Sequence, residues 1–216
     1  MPLMWRDPVD PRQPPPDVVA AGESHPMRRV THAAAAEVGA WTRDTADTVR
    51  RTFDALAPQW HTRHTPDRLD PVADALSRGG HLLPGHGTWL ELGSGDGWAT
   101  RALATAAPTL VAMDLSLAML RKAPPDAAAR VQTDAAQLPL EDSTITCALL
   151  MNMLLFPTEL DRVLAPGGAL VWISSRGPAT PIHLTPEQVV AALPGRWGGL
   201  AGQRGTGVWA GLRREG

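Results

Sequence analysis

Short apolar strands that alternate with helical segments predict an α/β fold with a mostly parallel sheet. The first predicted strand, residues 88–92, runs into a glycine-rich loop, and a helix predicted over 99–106 follows. The alternation continues as far as a helix predicted at 186–193. Because neighbouring parallel strands need a helical crossover, this order is typical of α/β proteins with helices on both faces of the sheet.

Apolar runs and chain breakers predict the remaining elements of the sheet. Apolar runs predict four more strands, at 109–113, 130–132, 144–151 and 169–174. Two further helices are predicted at 115–122 and 159–164, ended by Pro124-Pro125 and Pro166-Gly167-Gly168. The last two segments, 197–204 and 206–212, flank Gly205 and predict a strand pair at one edge of the sheet.

The first third of the chain has a different character. Prolines crowd residues 1–26, which predicts a flexible tail without a regular helix or a central strand. Apolar residues at spacings of three and four predict helix from 30 to 56, and a second helix begins at Pro66 and ends at Gly79-Gly80. We therefore expect a tail over 1–26 and one folded domain over 27–216.

Composition excludes several classes of protein. The 216 residues suit one domain, and 20 Lys and Arg against 22 Asp and Glu leave no basic excess for nucleic acid. The single cysteine, Cys147, excludes an internal disulfide framework and a cysteine-rich zinc site. No apolar run approaches the roughly 20 residues of a membrane span. These features predict a cytoplasmic protein that binds neither membrane nor nucleic acid.

The most informative segment is the end of the first strand together with the glycine-rich loop that follows it, Glu91-Leu92-Gly93-Ser94-Gly95-Asp96-Gly97. Glycines there allow a ligand to approach the backbone closely. A dinucleotide fingerprint would need a small residue where Trp98 stands, and a P-loop would need a lysine, so neither a pyrophosphate nor a triphosphate is expected. A carboxylate at Glu91, just before the loop, suits a ligand with a positive charge.

Two further acids follow strands. Asp114 ends the second strand, 21 residues after Gly93, which is the spacing at which an acid accepts hydrogen bonds from ribose hydroxyls. Asp134 follows the third strand, where its carboxylate can accept from an exocyclic amine. Each acid also suits a structural role, Asp114 as a helix N-cap and Asp134 as a loop cap. Their occurrence in order with the glycine loop favours a ligand site.

These motifs, with Arg162-Val163-Leu164-Ala165-Pro166-Gly167-Gly168, resemble those of class I S-adenosylmethionine-dependent methyltransferases over about residues 53–213. The resemblance implies a Rossmann-like, mostly parallel seven-stranded sheet with an antiparallel hairpin at its C-terminal edge, and S-adenosylmethionine as the cofactor. It assigns the glycine loop to the methionine part, Asp114 to the ribose and Asp134-Ala135 to adenine. The implied cofactor-binding residues are Trp60, Glu91, Gly93, Ser94, Gly95, Asp114, Leu115, Met119, Asp134, Ala135 and Met151.

Residues 53–61 resemble a sequence motif of small-molecule methyltransferases of the ubiquinone/menaquinone-biosynthesis type. In those enzymes the motif forms a flap over the cofactor. Trp60 takes the position of an aromatic in that motif, and it suits a core position equally well. The domain is thus expected to divide into N-terminal helices and substrate flap, 27–87, and a cofactor-binding core, 88–216. Two departures stand out: Thr146 replaces the usual acid of the fourth strand, and the stretch between Met151 and Arg162 is short and apolar.

The acceptor side carries weaker signals. Methyl transfer is an in-line displacement that relies on positioning, and a histidine is the natural base if the acceptor is a hydroxyl. His61 and His64 in the flap are the catalytic candidates, although a histidine at such a position is more often a solvated surface residue. They share helical spacing without an evident third ligand, so no metal is expected. The candidate substrate residues are Arg63, as an anchor for an anionic group, Asn152, Phe156 and His183.

The sequence leaves other functions open. A protein that binds the cofactor without transferring its methyl group would fit the acid missing at Thr146. Methylation of nucleic acid is disfavoured by the balanced charge and because Met153 and Leu154 follow Asn152, where such enzymes carry a proline-containing motif. The leading hypothesis is therefore a small-molecule methyltransferase, acting as a monomer or homodimer.

Overall fold

The computed structural model describes residues 2–36 and 39–215. In this part of the chain the strands form one mixed sheet of eight strands. The strand order is β1-β7-β8-β6-β5-β2-β3-β4. Neighbours from β6 through β4 are parallel, β8 is antiparallel to both β6 and β7, and β1 is parallel to β7. The strands are β1 Leu3–Trp5, β2 Thr88–Leu92, β3 Thr109–Asp114, β4 Ala129–Gln132, β5 Ile145–Met151, β6 Leu164–Ser174, β7 Trp197–Arg204 and β8 Gly207–Arg214.

Helices cover both faces of this sheet. The α-helices are α1 Pro16–Ser24, α2 Pro26–Ala36, α3 Arg43–Leu56, α4 Asp70–Gly79, α5 Thr100–Ala104, α6 Leu117–Leu120, α7 Pro157–Val163 and α8 Pro186–Ala192. Short 3₁₀ helices occupy Ala57–Arg63, Pro66–Arg68, Gly80–Leu82 and Gly177–Ala179. Within the described residues, no helix has both the length and the apolar character to cross a bilayer.

Alternation along the central strands creates two hydrophobic layers. On β2 the side chain of Leu90 joins one buried cluster and that of Trp89 the other. On β5, Leu150 and Leu149 divide in the same way, because successive side chains of a strand point to opposite faces. The α/β fold class with helices on both faces is confirmed.

Two details of the predicted sheet are wrong. The sheet has eight strands rather than seven in the described part of the chain, because Leu3–Trp5 pairs with β7. The C-terminal hairpin therefore does not form the edge: β8 lies between β7 and β6, and β1 lies outside β7. Residues 1–26 also contain helix α1, which begins with Pro16 in its first turn, where a proline loses no helical hydrogen bond. The division of the chain at residue 26 stays a prediction.

The single helix predicted from 30 to 56 is two helices. The N-cap of α3 is Thr42, whose hydroxyl accepts from the Thr45 N–H at 3.2 Å. A capping residue with extended backbone starts a new helix, so the periodic apolar residues on either side belong to α2 and α3. The break places Trp41 in the connection, next to the edge of the sheet at which β2, β3, β4, β5 and β6 end.

Candidate cofactor and acceptor site

The glycine loop follows β2 at the carboxyl edge of the sheet. Gly93, Gly95 and Gly97 have φ angles of 70°, 58° and 76°, which only glycine adopts without strain. A Cβ atom on Gly93 would lie 2.5 Å from the Sδ of Met153, so the side chain of Met153 passes directly over the loop. The loop therefore needs glycine both for its conformation and for this contact.

Asp114 joins the glycine loop to the end of β3. Its Oδ2 accepts the Gly95 N–H at 2.8 Å, and its Oδ1 accepts the Ser116 N–H at 2.7 Å. Burial, together with the negative charge of Asp54, raises the pKa of this carboxyl. Because a carboxylate oxygen accepts more than one hydrogen bond, Asp114 can hold the loop and still accept from ligand hydroxyls.

Glu91 and Ser94 are buried polar groups that lack a full set of partners. Glu91 is 3% exposed and accepts from the Thr100 hydroxyl at 2.6 Å, and burial raises its pKa to about 8. No cation of the described residues pairs with Glu91, and the Oγ of Ser94 has no hydrogen-bond partner within that part of the chain. A ligand that brings an ammonium group and further polar atoms would satisfy both.

The N-terminal segment lies across the loop. Asp54 of α3 accepts from the Ser116 hydroxyl at 2.5 Å, and this hydrogen bond holds the pKa of Asp54 below its usual range. The Nε1 of Trp60 is 3.6 Å from the Cβ position of Gly95, and the Trp60 ring packs edge-on against Phe53 with centroids 5.6 Å apart. Trp60 thus lies beside the glycine loop, the place that the flap resemblance implies.

Asp134 has a partner that sequence reasoning missed. The indole N–H of Trp41 lies 3.1 Å from Oδ1 and 2.9 Å from Oδ2 of Asp134, and the Ala136 N–H donates to Oδ1 at 2.9 Å. The Trp41 ring packs edge-on against Phe156, with centroids 5.3 Å apart. In the sequence Trp41 is one more periodic apolar residue, which gives no signal for this role.

The two histidines of the flap, His61 and His64, have different surroundings in the structure. The Nε2 of His64 is 3.1 Å from Oδ1 of Asp96, close enough for an ion pair when the ring is protonated, and the ring stacks on Trp98 at 4.4 Å. His61 is exposed, and its side chain makes no hydrogen bond within the described residues. The same residues contain no group of three or more His, Cys, Asp and Glu side chains that could hold a metal ion.

Asn152 organises the edge of the sheet beyond the loop. It follows β5 with a φ of 50°, its Nδ2 donates to the Ser175 hydroxyl at 2.9 Å, and its Oδ1 accepts the Ser175 N–H at 2.8 Å. The Nε of Arg68 donates to the same hydroxyl at 3.2 Å. Neither Arg68 nor Ser175 belongs to a sequence motif, so this contact was not foreseen.

Two further candidate substrate residues, His183 and Phe156, are buried. His183 is 7% exposed and pairs through Nδ1 with the Ser174 Oγ at 2.8 Å, so its ring is held inside the fold. Phe156 is 8% exposed and belongs to the core. Among the expected cofactor residues, Met119 and Ala135 are buried, whereas Leu115 and Met151 are half-buried at strand ends.

Thr146 lies at the start of β5, the fourth of the predicted strands, at the position where the resemblance implies an acid. Its hydroxyl lies 2.8 Å from the His86 carbonyl and 3.2 Å from the Thr88 carbonyl, at the start of β2. This is the end of the sheet opposite the glycine loop. The hydroxyl holds the entry to β2 by itself, so the departure at Thr146 lies away from the candidate site.

A family model described as "Methyltransferase domain" matches residues 90–172, which include the glycine loop, Asp114, Asp134 and Asn152. This stretch of the chain is similar to the domain of class I S-adenosylmethionine-dependent methyltransferases. The biotin biosynthesis bifunctional protein BioHC of Cellvibrio japonicus is 36% identical over 108 residues, 44% of this chain. The chain spans about a fifth of that curated relative, 21% of its length.

Solved structures of methyltransferases share the fold of this chain. The DhpI–SAH complex is 20% identical with a TM-score of 0.60, and covers 81% of this chain and 99% of its own. A SAM-dependent methyltransferase from Aquifex aeolicus is 20% identical with a TM-score of 0.59, covering 74% and 97%. The cofactor of this domain class is S-adenosylmethionine. The buried carboxyl of Glu91 and the Oγ of Ser94, which has no hydrogen-bond partner among the described residues, fit a zwitterionic, polar ligand.

Proposed function

We propose that this chain transfers the methyl group of S-adenosylmethionine to a small organic acceptor. The observation that carries the proposal is the row of acceptor groups at the carboxyl edge: Glu91 at the end of β2, Asp114 at the end of β3 and Asp134 after β4. Bound S-adenosylmethionine supplies an activated methyl group on a positively charged sulfur. The chain's own residues bind the cofactor and the acceptor, orient them towards each other and shield them from water.

Each binding role follows from the residue's surroundings. The carboxylate oxygens of Asp114 can each accept a further hydrogen bond beside those from the Gly95 and Ser116 N–H groups, and we assign these positions to the ribose hydroxyls. We assign the carboxylate of Asp134 to the adenine amine. Glu91 faces the ammonium group. The remaining contacts to the cofactor come from residues around the loop and the strand ends: Trp60, Gly93, Ser94, Leu115, Met119, Ala135 and Met151.

The acceptor is small because the chain offers little material to hold a large one. Only residues 175–185 separate β6 from α8, and part of this segment is the 3₁₀ helix Gly177–Ala179. The acceptor contacts therefore come from the flap and from residues 152–156. The partial match to a biotin biosynthesis protein supports a small-molecule acceptor.

Catalysis rests mainly on orientation, which supplies about 7–11 kcal/mol in well-placed intramolecular reactions. For a hydroxyl acceptor we propose His64 as the base, because its ring stacks on Trp98 and its buried Nε2, 3.1 Å from the Oδ1 of Asp96, has no hydrogen-bond partner among the described residues. His61 stays the second candidate. Replacing His64 with Gln should slow transfer to a hydroxyl acceptor, whereas His81→Gln, at an exposed histidine before β2, should not.

Calorimetric titration with S-adenosylmethionine and S-adenosylhomocysteine tests the cofactor half of the proposal. Asp114→Ala should weaken binding about tenfold or more, because hydrogen bonds to a charged group are lost. The matched control is Asp126→Ala, at an exposed acid whose nearest cation, Arg101, is 3.7 Å away. Wild-type protein that binds neither ligand would remove the proposal.

Incubation with methyl-labelled cofactor and a panel of small hydroxyl, amine and carboxylic acid acceptors tests the transfer half. We expect a labelled product from at least one class. Tight cofactor binding with no product from any class would favour the alternative, a methyltransferase-fold protein that binds the cofactor without methyl transfer.

A further inference from the structure

Three arginines meet at the carboxyl edge beside the end of β6. Arg68 donates from Nη1 to the Arg63 carbonyl at 2.8 Å and from Nε to the hydroxyl of Ser175, the residue before Arg176. Arg63 and Arg176 are exposed and Arg68 is half-buried. These contacts bring three positive charges to one place on the surface.

None of these three arginines has a carboxylate partner in the part of the chain that the structure describes. Within residues 2–36 and 39–215, no Asp or Glu oxygen lies within 4.0 Å of their guanidinium groups, whereas seven other arginines have such a partner. Half-burying an unpaired cation costs free energy unless an anion compensates it. The cluster therefore lacks a counter-charge that a ligand can supply.

The neighbours of Arg68 orient it without neutralising it. Asn152 fixes Ser175 with two hydrogen bonds, and Ser175 and the Arg63 carbonyl together take the Nε and one N–H of Nη1. The Nη2 group has no acceptor among the described residues. Burial lowers the pKa of Arg68, the positive charges of Arg176 and Arg63 lower it further, and Asp67 acts in the opposite direction.

The cluster adjoins the glycine loop from two sides. Asn152 precedes Met153, whose side chain lies over Gly93. On the other side, the Cζ of Arg63 is 5.1 Å from the centroid of the Trp60 ring, and Trp60 lies against Gly95. A molecule bound at Arg68 would therefore reach the methionine end of the proposed cofactor site.

We propose that Arg68, flanked by Arg63 and Arg176, binds an anionic carboxylate or phosphate group of the methyl acceptor. The proposal rests on the function proposed above and narrows its substrate class to acids. A guanidinium group held in one orientation presents parallel N–H donors to such an oxyanion, and a neutral analogue of the acceptor gains nothing from the three charges. The site therefore selects acids over their amides.

Calorimetric titration of the full chain, saturated with S-adenosylhomocysteine, tests this site with benzoate and inorganic phosphate as probes and benzamide as the neutral analogue. At least one anion should bind the wild-type protein and bind Arg68→Gln about tenfold more weakly or worse. Binding of benzoate would identify a carboxylate site, and binding of inorganic phosphate would identify a phosphate site. Arg101→Gln, at an exposed arginine of α5, is the matched control and should bind the anion as the wild type does.

The outcomes separate the two proposals. The anion site is overturned if neither anion binds, if Arg68→Gln binds them as the wild type does, if Arg101→Gln is weakened equally, or if benzamide binds as well as benzoate. Unchanged binding of S-adenosylhomocysteine in the same proteins would leave the cofactor proposal standing. If Arg68→Gln fails to fold, Arg176→Gln, at an exposed position, should still weaken the anion severalfold.

Discussion

The indole N–H of Trp41 is shared between the two carboxylate oxygens of Asp134, at 3.1 and 2.9 Å. With the Ala136 N–H on Oδ1, three contacts use a group that offers about four lone-pair sites. Oδ2 keeps one free position. Trp41 therefore fixes the orientation of the acid that we assign to adenine without using all of its capacity.

Trp41→Phe should weaken the binding of S-adenosylhomocysteine about three- to tenfold, since one hydrogen bond that orients Asp134 is lost. Phenylalanine keeps a ring against Phe156. Calorimetry gives the affinity, and Trp5→Phe is the matched control, because the exposed Trp5 donates to Glu187 at 2.7 Å in the same manner. Tighter binding by Trp41→Phe would contradict us and show that the indole competes with the cofactor.

Glu91 should release a proton when the cofactor binds. Its pKa of about 8 leaves the free carboxyl mostly protonated at pH 7, and an adjacent ammonium group favours the ionised form. Affinity should therefore rise with pH up to about 8, by at most about tenfold per unit. Titrations at pH 7 in buffers of different ionisation enthalpy measure the released protons directly.

Glu91→Gln is the control for that experiment. The amide keeps the shape and can still pair with the Thr100 hydroxyl, but it does not titrate. We expect weaker cofactor binding and no proton release at pH 7. Equal proton release by the wild type and Glu91→Gln would assign the titration to another group.

The candidate cofactor site was predictable because its signals are local. A glycine loop after an apolar strand, and acids at the ends of the next strands, occupy one edge of any parallel sheet, so Gly93, Asp114 and Asp134 could be placed without coordinates. Contacts between segments that are far apart in the sequence could not be predicted in this way. No sequence pattern signals the contact of Trp41 with Asp134 or the contact of Arg68 with Ser175, because each contact depends on how the N-terminal helices dock.

The N-terminal strand shows the same limit. Prolines argue against a central strand, and β1 is indeed an edge strand, but its three residues carry too little pattern to announce a strand. Its partner is β7, almost 200 residues away. Pairing over such a distance depends on the completed sheet and not on local sequence preference.

Removing residues 2–12 should lower the free energy of unfolding by about 1–3 kcal/mol, since several backbone hydrogen bonds are lost. Arg6 and Val9 donate to carbonyls of β7 at 2.8 and 2.9 Å, and Arg78 donates to the Asp7 carbonyl at 2.7 Å. Urea unfolding gives the value. Trp5→Phe, which keeps the backbone pairing, should change it little, and an unchanged midpoint after truncation would show that β1 adds no stability.

His183 should make stability depend on pH in acid solution. Burial, with Arg28 and His32 adding positive charge nearby, lowers its pKa to about 4, and its Nδ1 pairs with Ser174, whose hydroxyl donates to the Gly177 carbonyl. Folded protein therefore holds the ring neutral where an unfolded chain, with a histidine pKa near 6.5, is protonated. The stability from neutral His183 is present above about pH 6.5 and is lost as the pH falls to about 4, with a slope of at most about 1.4 kcal/mol per unit.

His183→Asn isolates this contribution, because an Asn side chain can still donate to Ser174 but does not titrate. The difference in unfolding free energy between the wild type and His183→Asn, measured by urea unfolding at pH 7, 6, 5 and 4, should shift against the wild type as the pH falls. His81→Asn, at an exposed histidine, should run parallel to the wild type. A constant difference between the wild type and His183→Asn would mean that His183 titrates normally, and the buried ring would then be open to the role of a base.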